Sequence, residues 1–450
     1  MKTNHAILIV AATLLAGLNA IVARAAEENW PQFLGPGSHA VSANANLPDH
    51  WSAKENVAWK REIPGRGWSS PIAWGNRVFL TTVVEEGKTE TPQKGFFMGG
   101  KGPGSENAKC QWKVVCLDLA SGNVLWERTV HEGVPPDATH PKNSYASETP
   151  VTDGERVYAY FGNIGVFCFD FQGKPLWSHP IEPHKMKMGW GTASSPVVLR
   201  DLLYIVNDNE EKSYLLALNK LTGKPAWQVD RDEKSNWSTP LVWKNKDRTE
   251  IVTAGSGKVR SYDLVGGVLW QFEGMSGITV ATPYSDGGLL YVSSGFTRDK
   301  LRPVYAIRPG ATDDISLASD KTSNASIAWS RPTAAPYIPT TLVYDGRLYV
   351  LYDVGILSAF NSQTGVPLFE QKRIQDGKHF TSSPWANNGR VFCLNEDGVT
   401  FVARAGNKFE LLGTNRLGDD DMCLATPAMV GDRLLIRTLT RIYCIRKKAL

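Results

Sequence analysis

Long apolar runs are scarce in this sequence. Ala6 to Leu18 is the longest, and its thirteen residues fall short of the roughly 20 that a membrane-spanning helix needs. Lys2 before it and the small-x-small triplet Ala23-Arg24-Ala25 after it form the pattern of a secretory leader, expected over 1–25. Past that point no stretch is long enough to cross a bilayer. The mature chain, 26–450, is therefore expected in the periplasm or outside the cell, without a transmembrane segment and as a monomer. Cysteine is sparse as well: six residues, none before Cys110 and no two adjacent. That argues against a lipid-modified N-terminal cysteine. No Cys-x-x-Cys or His-Glu-x-x-His spacing occurs, so no metal site is expected. His179, Glu182 and His184 fall in a proline-flanked loop and read as surface residues. Excess charge of one sign is missing too, with 49 Lys and Arg against 45 Asp and Glu. The basic residues are scattered, which excludes a nucleic-acid footprint. There is no Gly-x-Ser-x-Gly elbow. The glycine-rich stretch Lys94 to Gly104 lacks the Lys-Ser/Thr ending of a phosphate loop.

What the chain has in quantity is glycine (41), proline (26) and tryptophan (15), a composition suited to short strands joined by tight turns. One phrase recurs, a Ser/Thr-Pro followed by a turn and an apolar strand. It stands at Ser70-Pro71, Thr149-Pro150, Ser195-Pro196, Thr239-Pro240, Thr282-Pro283, Ser383-Pro384 and Thr426-Pro427, with a copy lacking proline read at Thr341-Leu342. Most spacings are 42 to 46 residues, and the longer ones, 79 and 59, mark insertions. A strand-built period in the low forties is the signature of a propeller blade.

Within each unit, turn pairs such as Asp153-Gly154 and Asn388-Gly389 separate apolar strands, which are hairpin signals. A third strand follows, then a Gly with an aromatic four residues later, as in Gly122/Trp126, Gly173/Trp177, Gly223/Trp227, Gly266/Trp270 and Gly365/Phe369. These aromatics, with Trp59 and Trp329, are expected to wedge between blades. The expected architecture is all-β, an eight-bladed propeller of four-stranded antiparallel blades over 26–450. It has an insertion at 85–111 in the first blade and a longer blade at 283–329. The last unit stops one strand short, and Glu55 to Trp59 reads as a fourth strand without a blade. Pairing the two would close the ring and leave no free edge at the seam.

The Asp118…Gly122…Trp126 phrase resembles the tryptophan-docking repeat of PQQ-like (pyrroloquinoline-quinone-like) propellers, the family of quinoprotein dehydrogenases and BamB-like assembly factors. The opening Asn29 to Pro36 and the stretch Gly65 to Pro71 resemble secreted members without an assigned function. The resemblance implies the fold over nearly the whole mature chain. It does not carry activity, which resides in sites grafted onto a fold. The adjacent cysteines of quinoprotein dehydrogenases are absent here, as is the lipid-bearing cysteine of BamB.

The segments before each Ser/Thr-Pro are expected to converge at the mouth of the central channel. They carry Trp68, Tyr145, Trp190, Trp237, Tyr337 and His379, with the polar groups Arg66, Glu148, Lys185, Lys187, Asp420 and Asp421. Aromatics with a few convergent polar groups are how a small-ligand or sugar pocket is built. The first reading is an exported scaffold that binds a protein, peptide or carbohydrate (glycan) at this face. The alternative is a PQQ- and Ca-dependent oxidoreductase, with Trp190 or Trp237 as the stacking platform and Asp420, Asp421 or Glu148 as carboxylates. Phe96-Phe97-Met98 in the first-blade insertion reads as a lid or docking arm. Cys116, Cys168 and Cys444 share a third-strand slot with Ala217, Ala306 and Ala359, and so are expected to be buried free thiols.

Overall fold

A computed structural model describes residues 29–87, 92–96, 108–418 and 421–448. The expected leader, Asp420, and Phe97 and Met98 of the insertion lie outside the described residues. Eight sheets form the ring, each around four antiparallel strands from inner to outer, in sequence order except in blade 8. Blade 1 begins with Ile72–Trp74, and blades 2 to 7 begin with Val151–Thr152, Val197–Leu199, Leu241–Lys244, Tyr284–Asp286, Leu342–Tyr344 and Trp385–Asn387. Blade 8 takes Ala428–Val430, Arg433–Arg437 and Arg441–Arg446 from the C-terminal region, and its outer strand, Val57–Glu62, from the N-terminal one. Trp59 lies opposite Cys444 and Arg61 opposite Ile442 across this seam. Among the described residues the helical elements are two short 3-10 turns, Pro36–Ser38 and Lys187–Gly189.

Burial follows position in the blade. The second strand of blade 2, Arg156–Phe161, is buried from Val157 on. The outer strand Val57–Glu62 alternates half-buried and exposed, the period-2 pattern of a strand with one face to solvent. The third-strand slot lies directly across the ladder from the docking aromatic: Cys116 faces Trp126, Cys168 faces Trp177, Ala217 faces Trp227 and Ala306 faces Trp329. A small side chain is required there because the indole covers it. All six cysteines are free and buried.

The docking geometry is shared by five blades. Trp59, Trp126, Trp177, Trp227 and Trp329 each donate their indole N–H to a carbonyl in the next blade's turn between third and fourth strands, at 2.9–3.1 Å. At Gly223 the backbone has φ +69°, and a Cβ would stand 2.3 Å from the Trp177 ring, so glycine serves both the turn and the close approach. Phe369 occupies the corresponding place in blade 6 and packs on Phe409 of blade 7, centroids 6.0 Å apart.

Trp270 departs from the expected interblade role. Its N–H goes to Glu250 Oε2 within its own blade at 2.7 Å, and Ser261, in the small-residue slot, donates to the same carboxylate. The cause lies in blade 5, where the excursion from Arg308 to Ser326 replaces the usual turn. Its Asp313–Asp314 segment pairs in parallel with Trp270 and Gln271 as a fifth strand on blade 4.

The proline-free copy is also one residue earlier than read from the sequence. Thr340 fills the hydroxyl position, accepting from Thr282 N at 3.0 Å and donating its own N–H to Ser383 Oγ at 2.9 Å. Thr341 stands where the other copies have proline.

Candidate functional site

Before its first complete blade the chain crosses one end of the channel. Trp30 bridges to Ala73 of blade 1, and Pro31 accepts from Thr152 of blade 2. The Pro36–Ser38 turn packs on the inner strands of blades 4 and 5. His39 then reaches Val343 O of blade 6 at 2.6 Å, and Val41 bridges to Ala386 of blade 7. Phe33, midway along this crossing, lines the cavity inside the ring. The channel is thus blind at this end, a floor the sequence reading did not anticipate.

At the other end lies a cavity of about 300 Å³. Trp68, Trp190, Trp237, Tyr337 and His379 line it, together with Phe96, His140, Lys142, Asp353, Phe380 and Glu396. Trp190 and Trp237 lie with centroids 5.8 Å apart, and His140 meets Trp190 edge-on. Trp68 and Arg66 also brace the wall: the Trp68 indole donates to Lys142 O at 2.9 Å, and the Arg66 guanidinium to the Pro141 and Asn143 carbonyls.

The other expected site residues are elsewhere. Glu148 is fully buried behind the wall and accepts from Thr192 Oγ1 at 2.5 Å and Gly162 N at 3.2 Å. Its neighbours Ser147 and Thr149 line the cavity, while Glu148 turns away from it at a bend in the chain. Burial pushes its carboxyl up to about 7. Tyr145 lies in a separate small pocket beside Trp112. Asp421 caps the 438–441 turn, accepting from the Thr438 and Thr440 hydroxyls at 2.6 Å each.

The charged groups that do reach the cavity come from turns whose sequence signal is weak. Glu396, only 1% exposed, holds the Lys142 ammonium, Thr381 Oγ1 at 2.7 Å and Gly95 N at 2.8 Å. Lys142 also donates to Gly95 O at 3.0 Å. The 92–96 segment of the blade 1 insertion therefore reaches across to blade 7, where Lys94 pairs with Asp397 at 2.7 Å. Phe96 stands edge-on to Tyr337, 5.8 Å away. Asp353 is mostly enclosed, and burial raises its carboxyl above the ordinary value despite nearby Lys142.

All eight Ser/Thr residues of the repeat phrase line the cavity. Ser70 N donates to Thr149 Oγ1, Thr149 N to Ser195 Oγ and Ser195 N to Thr239 Oγ1, at 2.9–3.0 Å. Thr282, Thr340, Ser383 and Thr426 repeat the pattern. The hydroxyls thus form two arcs of four residues around the axis.

Comparison with known proteins places this geometry in context. The family model for the outer membrane protein assembly factor BamB matches residues 111–308 and 255–408. The fold is similar to quinohemoprotein alcohol dehydrogenase from Comamonas testosteroni, with TM-score 0.57 and 12% identity over 96% of this chain and 83% of that one. It is similar to quinohemoprotein alcohol dehydrogenase ADHIIG from Pseudomonas putida HK5, at 0.55 and 11% over 96% and 83%. The computationally designed Ika8 protein matches at 0.55 and 11% over 85% and 98%. No curated protein sequence matches. At these identities the structural likeness shows the fold alone.

The cavity offers few free charged partners to a quinone cofactor with calcium. Pyrroloquinoline quinone carries three carboxylates, and the Lys142 ammonium that lines the cavity is already paired with Glu396. Among the described residues no three His, Cys, Asp or Glu side chains stand together as metal ligands, whereas Ca²⁺ takes six to eight oxygens.

Proposed function

Because the chain belongs to the PQQ-like family described by the outer membrane protein assembly factor BamB, we propose that it is an exported binding propeller whose channel-mouth cavity receives a group from a carbohydrate, peptide or protein partner. The observation that carries this reading is the blind, aromatic-walled cavity, closed below by Phe33 and open toward the 92–96 segment. Its size lies at the lower end of known ligand pockets, and its walls combine a few aromatic rings with a few fixed polar groups, as such pockets do. The Lys142–Glu396 pair contributes little net charge, so affinity would come from stacking and hydrogen bonding. The N-terminal leader pattern supports export.

The test is a titration of the 26–450 protein, read by tryptophan fluorescence, against panels of peptides and saccharides, with PQQ plus Ca²⁺ as a separate arm. A saturable change that Trp190→Ala and Trp237→Ala both weaken at least tenfold is the expected result. Saturable quinone binding with a new visible absorbance band would replace this reading with the oxidoreductase one.

A further inference from the structure

Six of the repeat-phrase hydroxyls accept a backbone N–H from the preceding blade. Each of these oxygens has one lone pair used, and among the described residues no bond takes its proton. Ser70 and Thr282 head the two arcs, and their hydroxyls have no hydrogen-bond partner among the described residues, although both residues are only 2% exposed. They belong to blades 1 and 5, which face each other across an eight-bladed ring. The buried indole N–H of Trp190, on the cavity wall, is also without a partner among the described residues. A buried polar group left unpaired keeps the full cost of its lost hydration. Three such groups belong to residues that line this one cavity, and hydrogen bonds from a ligand seated there would relieve that cost.

The chemistry of these groups selects among ligands. Hydroxyls both donate and accept, so they match a ligand whose own groups do both. The Trp190–Trp237 wall offers an apolar face to stack on. The cation at the mouth is paired with Glu396, and Asp353 is a further acid, which disfavours anions. We infer that the ligand is a neutral saccharide unit, its hydroxyls meeting Ser70, Thr282 and the rest of the hydroxyl ring while one ring face stacks on Trp190 and Trp237. This inference rests on the proposed use of the cavity as a binding site.

The test uses calorimetry of the 26–450 protein with maltose, cellobiose and N,N′-diacetylchitobiose, and with glucuronic acid as the anionic probe. At least one neutral disaccharide is expected to bind saturably and at least tenfold more tightly than glucuronic acid. Ser70→Ala and Thr282→Val remove hydroxyls that hold nothing among the described residues, so thermal stability should hold or rise while affinity falls at least fivefold in the double variant. The inference is overturned if no neutral disaccharide binds, if glucuronic acid binds as well, or if the double variant binds normally. Should saccharides fail while a peptide binds in a Trp190-dependent way, the cavity reading stands and the ligand class falls. Binding of any ligand that ignores both Trp190→Ala and Trp237→Ala would remove the cavity reading itself.

Discussion

Glu148 stands between two cavity-lining residues with its carboxyl buried on the far side of the wall, held by Thr192 and Gly162 and by no cation. Burial raises its pKa from 4.5 to about 7. Between those values the folded protein keeps a proton that the unfolded chain has lost, so stability declines as pH rises through that window. Glu148→Gln should abolish this dependence. In urea unfolding the parent is expected to lose about 2–3 kcal/mol relative to the variant between pH 4.5 and pH 8; parallel losses would refute the assignment. The thiols act at the other end of the scale. Burial pushes Cys110, Cys116, Cys168, Cys393 and Cys444 up to about 12. Their contribution is complete below pH 9 and is lost as pH climbs toward 12. A thiol reagent at pH 8 should leave the native protein untouched and label all six cysteines in urea, whereas rapid native labelling would contradict their burial.

At the level of the blade, the indole hydrogen bond serves two different purposes. Trp227 donates to a neutral carbonyl of the next blade, Leu264 O, at 3.1 Å. Trp270 donates to a buried carboxylate that Ser261, Asn245 and Arg248 also hold. Trp227→Ala should cost about 3–5 kcal/mol through the void between blades. Replacement by Phe keeps most of the ring and isolates the hydrogen bond. Trp227→Phe is then expected to cost about 0.5–1.5 kcal/mol and Trp270→Phe about 1.5–3 kcal/mol, because bonds to charged groups are stronger. Denaturant unfolding of the pair gives the ranking, and the reverse order would contradict the Glu250 geometry. Much of this layer was legible beforehand, since Gly-x-x-x-Trp spacing and the Ala/Cys slot are local signals repeated along the chain. The exception was marked only by Ser261 replacing Ala or Cys, a change that acquires meaning once Glu250 is known to lie across the sheet. The register at Thr340 slipped by one because its unit lacks the proline that anchors the others.

For the whole molecule, the ring and its seam could be read from repeat arithmetic, but the floor and the Lys142–Glu396 bridge could not. Lys142 and Glu396 are 254 positions apart, and neither belongs to the repeat; only closure of the ring brings them together. Phe33 likewise reaches the axis because its segment is pinned to blades on both sides of the channel. The two N-terminal roles, floor and seam strand, can be separated by truncation. A chain beginning at residue 51 loses the floor and keeps Val57–Glu62 paired with Arg441–Arg446. It should remain a cooperatively folded monomer with a lowered Tm and weakened ligand binding. A chain beginning at residue 63 leaves Arg441–Arg446 as a bare edge, and removes the Trp59 indole from Leu119 O of blade 1. Unpaired edges recruit other chains, so this second truncation should elute as oligomers or precipitate in size-exclusion chromatography. If it instead ran as a monomer with an unchanged unfolding transition, the ring would not depend on its N-terminal strand for closure.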